Sequence, residues 1–349
     1  TITPDTEDEL KDVFSTWNST ELKPVGKSEE KRFIDAVHEG MDRAMEEHDE
    51  LILMGQDIAK YGGVFKVTEG LVDKYGEVRV RNTPLCESAI VGACIGLSAK
   101  GYKSMMEMQF ADFVSCGFNQ IVNNAAKLHW RWGQHVDTVI RMPTGAGVGA
   151  GPFHSQSDEA WFFHTPGLKI AYPAFPEDAK GLLLSAIDDP DPVMYFEHKA
   201  LYRSVRGEVS EGYFRVPLGK ANKIQEGNDI SIITYGAGVH WAIEAVNEWQ
   251  KNSTIEIIDL RSLMPLDKEM IYESVQKTGK AIILHEDVLT GGIGGEISAM
   301  ITENCFEYLD APVKRSGSLY TPVPFEDSLE KNFLPKERFK KELAELAEY

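Results

Sequence analysis

Residues 78–99 read VRVRNTPLCESAIVGACIGLSA, and this stretch contains the unit from which most of the chain is built. Val78 to Val80 predict a short strand, and the small and apolar residues from Ile90 to Ala99 predict a buried helix. The loop Asn82-Thr83-Pro84-Leu85-Cys86-Glu87 joins the two. A strand, a loop and a packed helix in this order predict a parallel sheet covered by helices, the α/β class.

Strand and helix patterns alternate on both sides of this stretch. On the N-terminal side we expect Ser28 to cap a helix with one apolar face, which leads to a strand at Leu51–Met54. Towards the C terminus, strands are predicted at Lys103–Met108, Thr138–Met142, Lys169–Tyr172 and Pro192–Glu197, and helices at Phe118–Trp132 and Pro176–Ile187. A second alternating series follows the irregular segment Tyr202–Asn228. The predicted division is an N-terminal extension or linker at residues 1–26, one α/β domain at 27–215 and another at 216–349.

Composition narrows the class of protein. The chain has 349 residues, 42% of them hydrophobic, enough for two cores. Its net charge of −19 would repel a phosphate backbone, so we expect no nucleic-acid partner. No apolar run reaches the roughly 18 residues of a membrane span, and no signal peptide is visible. The start at Thr1 rather than Met favours a trimmed or cut chain.

The cysteines, none in a C-x-x-C pair, are predicted to be reduced core thiols: Cys86, Cys94, Cys116 and Cys305.

Glu87 is the first candidate catalytic residue. It stands at the junction of a loop and a helix among apolar side chains: Leu85, Cys86, Ile90 and Val91. Such neighbours favour a carboxyl group that holds or shares a proton. The alternative is an ordinary glutamate in the first turn of a helix, where it stabilises the helix dipole.

The second candidate site is the glycine run GAGVGAG at residues 145–151, with His154 shortly after it. The run permits a tight, mobile loop, but it matches neither the P-loop nor the dinucleotide fingerprint. Ser155 or Ser157 is predicted to cap the following helix, which would place His154 at a helix N-terminus. The dipole there favours a neutral imidazole that can donate and accept hydrogen bonds. The alternative is a structural loop histidine.

The third candidate is the acidic turn AIDDPDP at residues 186–192. Hard carboxylate oxygens from Asp189 and Asp191 suit a hard cation. An acidic turn that only connects a helix to a strand explains the same residues.

Seven segments, taken in order, resemble the β subunits of the thiamine-diphosphate-dependent 2-oxoacid dehydrogenase E1 family. They are GGVF (62–65), NTPLCE (82–87), QFADF (109–113), NQIVN (119–123), HSQS (154–157), PGLK (166–169) and LTGGIGGEI (289–297). One such match is weak, but seven in order cover most of the chain from about residue 28. The resemblance implies a pyrimidine-binding domain with a mostly parallel sheet, followed by a transketolase C-terminal-like α/β domain.

The resemblance also implies roles for the candidates. Glu87 corresponds to the glutamate that binds the aminopyrimidine nitrogen and so activates the cofactor, and Phe113 to the aromatic residue that stacks on that ring. Leu85 and Gln109 would line the same place. His154 is similar to the histidine that guides the reaction intermediate and its transfer to a lipoyl group.

Metal ions are implied in two places. In the family the turn with Ala186, Asp189 and Asp191, together with carbonyls from elsewhere in the domain, often holds a structural potassium ion. The diphosphate and Mg²⁺ are normally held by a Gly-Asp-Gly motif and a downstream asparagine-rich segment, and this sequence has no Gly-Asp-Gly. We therefore expect the α half, as a separate subunit or fused upstream, to supply the magnesium site in an α2β2 assembly. The E2 lipoyl acyltransferase would be a further partner.

The expected reaction is oxidative decarboxylation of branched-chain 2-oxoacids of the 2-oxoisovalerate type. The loop 82–87 and the segment EHKALYR (197–203) look closer to the branched-chain type than to the pyruvate type. The alternatives are a pyruvate dehydrogenase β subunit and an inactive scaffold of the same fold. One departure is Gln56-Asp57, where the family usually has Glu-Asp. The resemblance implies the cytoplasm of a bacterium or the mitochondrial matrix of a eukaryote.

Overall fold

The computed structural model describes residues 5–17 and 20–349. In chain order its elements are α1 (Thr6–Lys11), β1 (Ser28–Arg32), α2 (Phe33–Glu47), β2 (Ile52–Gly55), α3 (Leu71–Tyr75), β3 (Val80–Asn82), α4 (Glu87–Ser98), β4 (Ser104–Glu107), α5 (Ala126–Trp132), β5 (Thr138–Thr144), α6 (Glu159–Phe163), β6 (Lys169–Ala171), α7 (Pro176–Asp188), β7 (Val193–His198), α8 (Leu201–Ser204), β8 (Arg206–Ser210), β9 (Asn222–Gln225), β10 (Ile230–Thr234), α9 (Ala237–Asn247), β11 (Ile255–Asp259), β12 (Ser262–Met264), α10 (Lys268–Thr278), β13 (Ala281–Val288), α11 (Gly294–Cys305), β14 (Lys314–Ser318), α12 (Asp327–Phe333) and α13 (Lys336–Leu346).

The first domain is built on a seven-stranded sheet in the order β12-β6-β7-β5-β4-β2-β3. Its strands are parallel except for β12, which is antiparallel to β6. Every residue of β4, β5, β6 and β7 is buried. Continuous burial on both faces is typical of parallel strands covered by helices. The predicted α/β class and mostly parallel sheet are confirmed.

Helices α2 and α7 cover one face of this sheet. Phe33, Val37 and Met41 repeat at helical spacing on α2 and are fully buried. The predicted cap at Ser28 is wrong, because residues 28–32 form β1, antiparallel to β8. The helix begins at Phe33 instead, and Arg32 is its N-cap.

The second domain has a five-stranded sheet in the order β14-β13-β10-β11-β9, in which only β9 is antiparallel. Along β10, Ile230 and Ile232 join the core under α9 and α13. Ile233 belongs instead to the core that includes α10 and α11. This alternation is the two-sided burial expected of a central strand.

One hydrophobic core continues from the first domain into the second. Tyr172 of the first domain and Tyr235 of the second have ring centroids 5.2 Å apart, and the Tyr235 hydroxyl donates to Glu159 Oε1 at 2.8 Å. Strand β12 also returns from the second domain to the first sheet. A division of the chain near residue 215 does not predict that β12 pairs with the first sheet. This pairing and the contacts of Tyr235 hold the two domains together.

Two further expectations need correction. The helix predicted at 118–132 is divided into a π-helix at 120–125 and α5, and a separate 3-10 helix at 111–117 precedes it. Of the cysteines, all are free, but Cys116 is exposed and Cys86 is half-buried, so neither is a fully buried core thiol. In the predicted extension, residues 1–4, 18 and 19 lie outside the described residues. No helix in the described ranges is long and apolar enough to cross a membrane.

Candidate active site

The predicted catalytic and cofactor-binding residues follow the carboxyl ends of β3, β4 and β5, which with β2 are four neighbouring parallel strands. This edge is where open α/β sheets ordinarily bind ligands. The loop after β3 is tied to the loop after β2, because the Thr83 N–H donates to Gly55 O at 2.9 Å. The Asn82 side chain also accepts from the Ala59 N–H at 2.8 Å. The two loops therefore form one rigid rim.

Glu87 is the first residue of α4 and is 8% exposed. Its Oε1 accepts a hydrogen bond from Gln56 Nε2 at 3.1 Å. The next residue in that loop, Asp57, accepts from Gln109 Nε2 at 3.2 Å. Gln56 and Asp57, the pair that differs from the usual Glu-Asp of the family, are thus hydrogen-bonded to two predicted site residues, Glu87 and Gln109. Leu85 stands beside them and is 79% exposed, an open apolar surface.

Phe113 lies on the 3-10 helix Ala111–Gly117, which packs against the start of α4. A Cβ added to Gly117 would lie 3.2 Å from Val91 Cγ2 and 3.7 Å from the Glu87 carbonyl oxygen. Phe113 and Glu87 therefore stand on two elements in direct contact.

His154 lies among aromatic rings. Its centroid is 4.6 Å from that of Phe110, with an interplanar angle of 84°, and 5.6 Å from that of Phe113. Phe110 and Phe113 are themselves 5.6 Å apart. The structure therefore brings together two predicted residues, Phe113 and His154, that are far apart in sequence.

The predicted position of His154 at a helix N-terminus is wrong. The next helix, α6, has only five residues and its N-cap is Asp158, so neither serine caps it. The segment after His154 is held instead by Asp112, whose Oδ1 accepts from the N–H groups of Ser155 and Gln156, both at 3.2 Å. Hydrogen bonds to a carboxylate, rather than a dipole, fix this part of the loop.

Two carboxylates of the second domain hold the glycine loop at residues 145–151. Glu286 accepts from the Ala146 N–H at 2.6 Å. Glu330 accepts from the N–H groups of Gly147 at 2.9 Å and Gly149 at 3.2 Å. The loop that leads to His154 is thus positioned from the other domain. Sequence reasoning missed both glutamates, which are 140 and more than 180 residues distant along the chain.

The glycines of this loop are required by close packing and by backbone conformation. Gly145 has a φ of +89°, and a Cβ there would lie 2.2 Å from His198 Nε2. Gly151 has a φ of +72°, and a Cβ there would lie 2.1 Å from the Phe325 ring. Both positions exclude a side chain, so the two ends of the run pack tightly against their surroundings.

Buried titratable groups line a cavity of about 180 Å³ between the segment after His154 and the second domain. Burial raises the pKa of Asp158 to about 7, and Asp112 and Glu159 act in the same direction. Burial likewise raises the pKa of Asp287, which lines the same cavity. Burial lowers the pKa of nearby Lys199 to about 8. These groups can gain or lose protons near neutral pH.

The donor set fits half of a thiamine cofactor. A flat nitrogen heterocycle needs a face to stack on and a carboxyl group for its ring nitrogen, and Phe113 and Glu87 offer both. For the other half, no group of three or more His, Cys, Asp or Glu side chains in the described parts of the chain could hold a metal ion. The residues present therefore fit a pyrimidine ring.

The residues predicted to bind potassium lie at the end of α7 and in the turn after it. Asp189 and Asp191 are buried, but the ammonium of Lys169 lies 2.7 Å from the first and 3.0 Å from the second. These carboxylates therefore do not fit the predicted potassium ion, because a positively charged side chain already binds them. Ala186, the third predicted ligand, could bind a cation only through its backbone carbonyl oxygen.

Two family models match the chain. "Transketolase, pyrimidine binding domain" matches residues 29–205, and "Transketolase, C-terminal domain" matches residues 219–338. A solved structure, "Split gene transketolase, inactive beta4 tetramer", superposes with a TM-score of 0.73 at 21% identity, covering 93% of this chain and 99% of that one. The fold and these domains place the chain in the transketolase-like class of thiamine-diphosphate proteins.

Relatives narrow the class further. The chain is 46% identical to "2-oxoisovalerate dehydrogenase subunit beta, mitochondrial" of Dictyostelium discoideum, over 91% of this chain and 87% of that protein. It is 44% identical to "2-oxoisovalerate dehydrogenase subunit beta" of Bacillus subtilis, over 91% and 98%. "Pyruvate dehydrogenase E1 component subunit beta" of Staphylococcus epidermidis is 38% identical, over 87% and 94%. The chain belongs to the family of 2-oxoacid dehydrogenase E1 β subunits.

Proposed function

We propose that this chain is the β half of an E1 enzyme that oxidatively decarboxylates branched-chain 2-oxoacids of the 2-oxoisovalerate type. The observation that carries the proposal is the pairing of a buried carboxyl group, Glu87, with an aromatic wall at the ligand-binding edge of the sheet. The acyl group would pass to the lipoyl group of an E2 acyltransferase. The α half, separate or fused, would complete the site.

Each site residue has a proposed role. Glu87 binds the pyrimidine ring nitrogen and holds or moves a proton there. Phe113 stacks on the ring, while Leu85 and Gln109 border it. Thiamine diphosphate, when bound, supplies the electron sink for loss of carbon dioxide. His154 donates or accepts a hydrogen bond at the reacting group and assists transfer of the acyl group.

The magnesium ion and the diphosphate are assigned to the α half. Support comes from the absence of a Gly-Asp-Gly motif in this sequence and from the lack of a metal-binding cluster among the described residues. The active site would then lie at the junction of two polypeptides. An α2β2 assembly is proposed on the same ground.

The substrate is assigned from similarity to the named relatives. Identity is 46% and 44% to the two 2-oxoisovalerate dehydrogenase subunits and 38% to the pyruvate dehydrogenase subunit. The loop 82–87 and the segment 197–203 favour the same choice. Retention of Glu87, Phe113 and His154 argues against an inactive scaffold.

The direct test is steady-state turnover by the chain assembled with its α half and E2. We expect a higher kcat/KM with 2-oxoisovalerate than with pyruvate. A preference for pyruvate would establish the alternative substrate. Turnover of neither, in an assembly that binds the cofactor, would establish the inactive scaffold.

The role of Glu87 has its own test. Glu87→Gln keeps the size of the side chain but cannot share its proton, so exchange of the cofactor's C2 proton should slow by about 10²- to 10⁴-fold. Glu77→Gln is the matched control, because Glu77 is 73% exposed beside the same rim. A near-normal exchange rate in Glu87→Gln would refute the assignment.

A further inference from the structure

A buried ammonium group occupies the turn that follows α7. Lys169, the first residue of β6, is 6% exposed. Its Nζ lies 2.7 Å from each carboxylate oxygen of Asp189 and 3.0 Å from Oδ2 of Asp191. The ammonium donates hydrogen bonds to both oxygens of Asp189 and forms an ion pair with Asp191. The cation is therefore fully bound by two buried carboxylates.

The same charged group is covered by residues 12–17, here called the N-terminal segment. Ser15 binds Asp191 Oδ2 through its N–H at 3.1 Å and through its hydroxyl at 2.9 Å. The ring centroids of Phe14 and Trp17 lie 5.5 Å and 5.9 Å from Lys169 Nζ. Both distances fall within the range of cation–π attraction. Hydrogen bonds and aromatic rings thus fix the segment to the ion pair.

The N-terminal segment lies outside the pyrimidine-binding domain as its family model defines it, since that match begins at residue 29. It nevertheless contacts the buried ion pair of that domain directly. The segment also reaches α5, because Val13 lines a cavity of about 220 Å³ with Trp130 and Gly167. The segment is therefore docked on the domain at two neighbouring places.

This ammonium competes with any metal cation for the carboxylates of the turn. Two positive charges within a few ångströms repel strongly in a dry environment, and the carboxylate oxygens that a metal would need already accept the lysine protons. We infer that Lys169 is the resident cation of this turn, in place of the potassium ion that the resemblance implies, and that the N-terminal segment seals it. The inference does not depend on the proposed function.

The first test compares cations on the unmodified full-length chain. Thermal unfolding is measured in potassium chloride and in choline chloride at equal ionic strength, so that only specific binding of potassium can separate the two. We expect midpoints that agree within about 1 °C, because stability rises only with a ligand that binds the folded state. A midpoint higher by about 3 °C or more in potassium chloride would overturn the inference.

The second test replaces the ammonium. Lys169→Ala leaves two buried carboxylates with a cavity between them, so the midpoint in choline chloride should fall by about 5 °C or more. Potassium should restore part of the loss by entering the cavity. Lys169→Met is the matched control, because its side chain fills the space without charge and leaves no place for potassium. If potassium raised the unfolding midpoint equally in the two variants, the inference that Lys169 takes the place of potassium would be contradicted.

The third test concerns the seal and is read by hydrogen exchange in peptides covering residues 12–17. Ser15→Ala and Lys169→Met should each speed exchange there by about tenfold or more, because both remove bonds that dock the segment. Thr16→Ala is the control, since Thr16 is exposed next to Ser15. Unchanged exchange in Lys169→Met would show that the segment docks without the ion pair.

Discussion

Glu330 provides a sharp prediction, because it holds an active-site loop from the other domain. The residue is 3% exposed and belongs to α12. It accepts one hydrogen bond from Gly147 at 2.9 Å and one shared between its two oxygens from Gly149 at 3.3 and 3.2 Å. Glu330→Ala removes both.

The magnitude follows from these bonds. A hydrogen bond to a charged group contributes about 1.5 to 3 kcal/mol, and the longer, shared bond contributes less. The loop should therefore lose about 2 to 4 kcal/mol of protection against opening. At about 1.4 kcal/mol for each tenfold change, amide exchange at Gly147 and Gly149 should speed up by about 30- to 1000-fold. Glu330→Gln keeps one acceptor oxygen and should give an intermediate value.

The assay is hydrogen exchange followed by mass spectrometry of peptides that cover residues 143–153. Glu337→Ala is the control, because Glu337 is 73% exposed on the following helix and pairs only loosely with Lys340 at 3.7 Å. Exchange elsewhere in the sheet should not change, which separates loop opening from global unfolding. Unchanged exchange in these peptides for Glu330→Ala would refute the conclusion that Glu330 holds the loop.

Three further outcomes are expected. In the full complex, His154→Ala should impair acyl transfer to the lipoyl group at least as much as decarboxylation with an artificial acceptor, and unchanged complex activity would count against its role. Gln56→Leu removes the donor to Glu87 and should slow C2 exchange about tenfold, whereas Gln56→Glu, in which two carboxyl groups can share a proton, should retain activity. Burial raises the pKa of Asp158 to about 7, so the folded chain holds that proton more tightly than the unfolded chain. The corresponding stability is fully present below the ordinary carboxyl pKa of about 4 and is lost as the pH rises from there to about 7, so the unfolding midpoint should fall between about pH 4 and pH 7, less so in Asp158→Asn.

The sheet of the first domain could be predicted from the sequence because its strands are short apolar runs separated by helix patterns. The information is local in each case, as in β5, where every residue is buried. Strand β1 could not be predicted in this way. Its residues SEEKR are polar, and they are extended because they pair with β8, about 180 residues later. Pairing between distant segments leaves no local pattern.

In the candidate site, too, local motifs could be predicted from the sequence and contacts between distant segments could not. Glu87, Phe113 and His154 stand in motifs that the sequence displays, and the structure brings Phe113 and His154 into contact. The residues that position them were not predictable. Asp112 was part of a quoted motif, but nothing in that motif indicates that its carboxylate accepts from Ser155 and Gln156.

Lys169 shows that a residue in a family motif can have a role that the motif does not indicate. It stands in the PGLK segment that supports the resemblance, while Asp189 and Asp191 were considered alone as metal ligands. Composition cannot distinguish a carboxylate pair that awaits a cation from one that already has a lysine. Only the approach of Nζ to within 2.7 Å of Asp189 decides between them.

We propose that this chain holds the pyrimidine side of a thiamine diphosphate site and depends on another polypeptide for the rest. Without a magnesium clamp, a stacked ring and one carboxyl contact face competing water and should bind only weakly. Titration calorimetry with Mg²⁺ and thiamine diphosphate, on the chain alone and with its α half, measures this directly. We expect the chain alone to bind thiamine diphosphate with a Kd of about 100 µM or weaker. Once the α half is added, we expect tight binding together with turnover. Micromolar or tighter binding by the isolated chain would contradict this proposal.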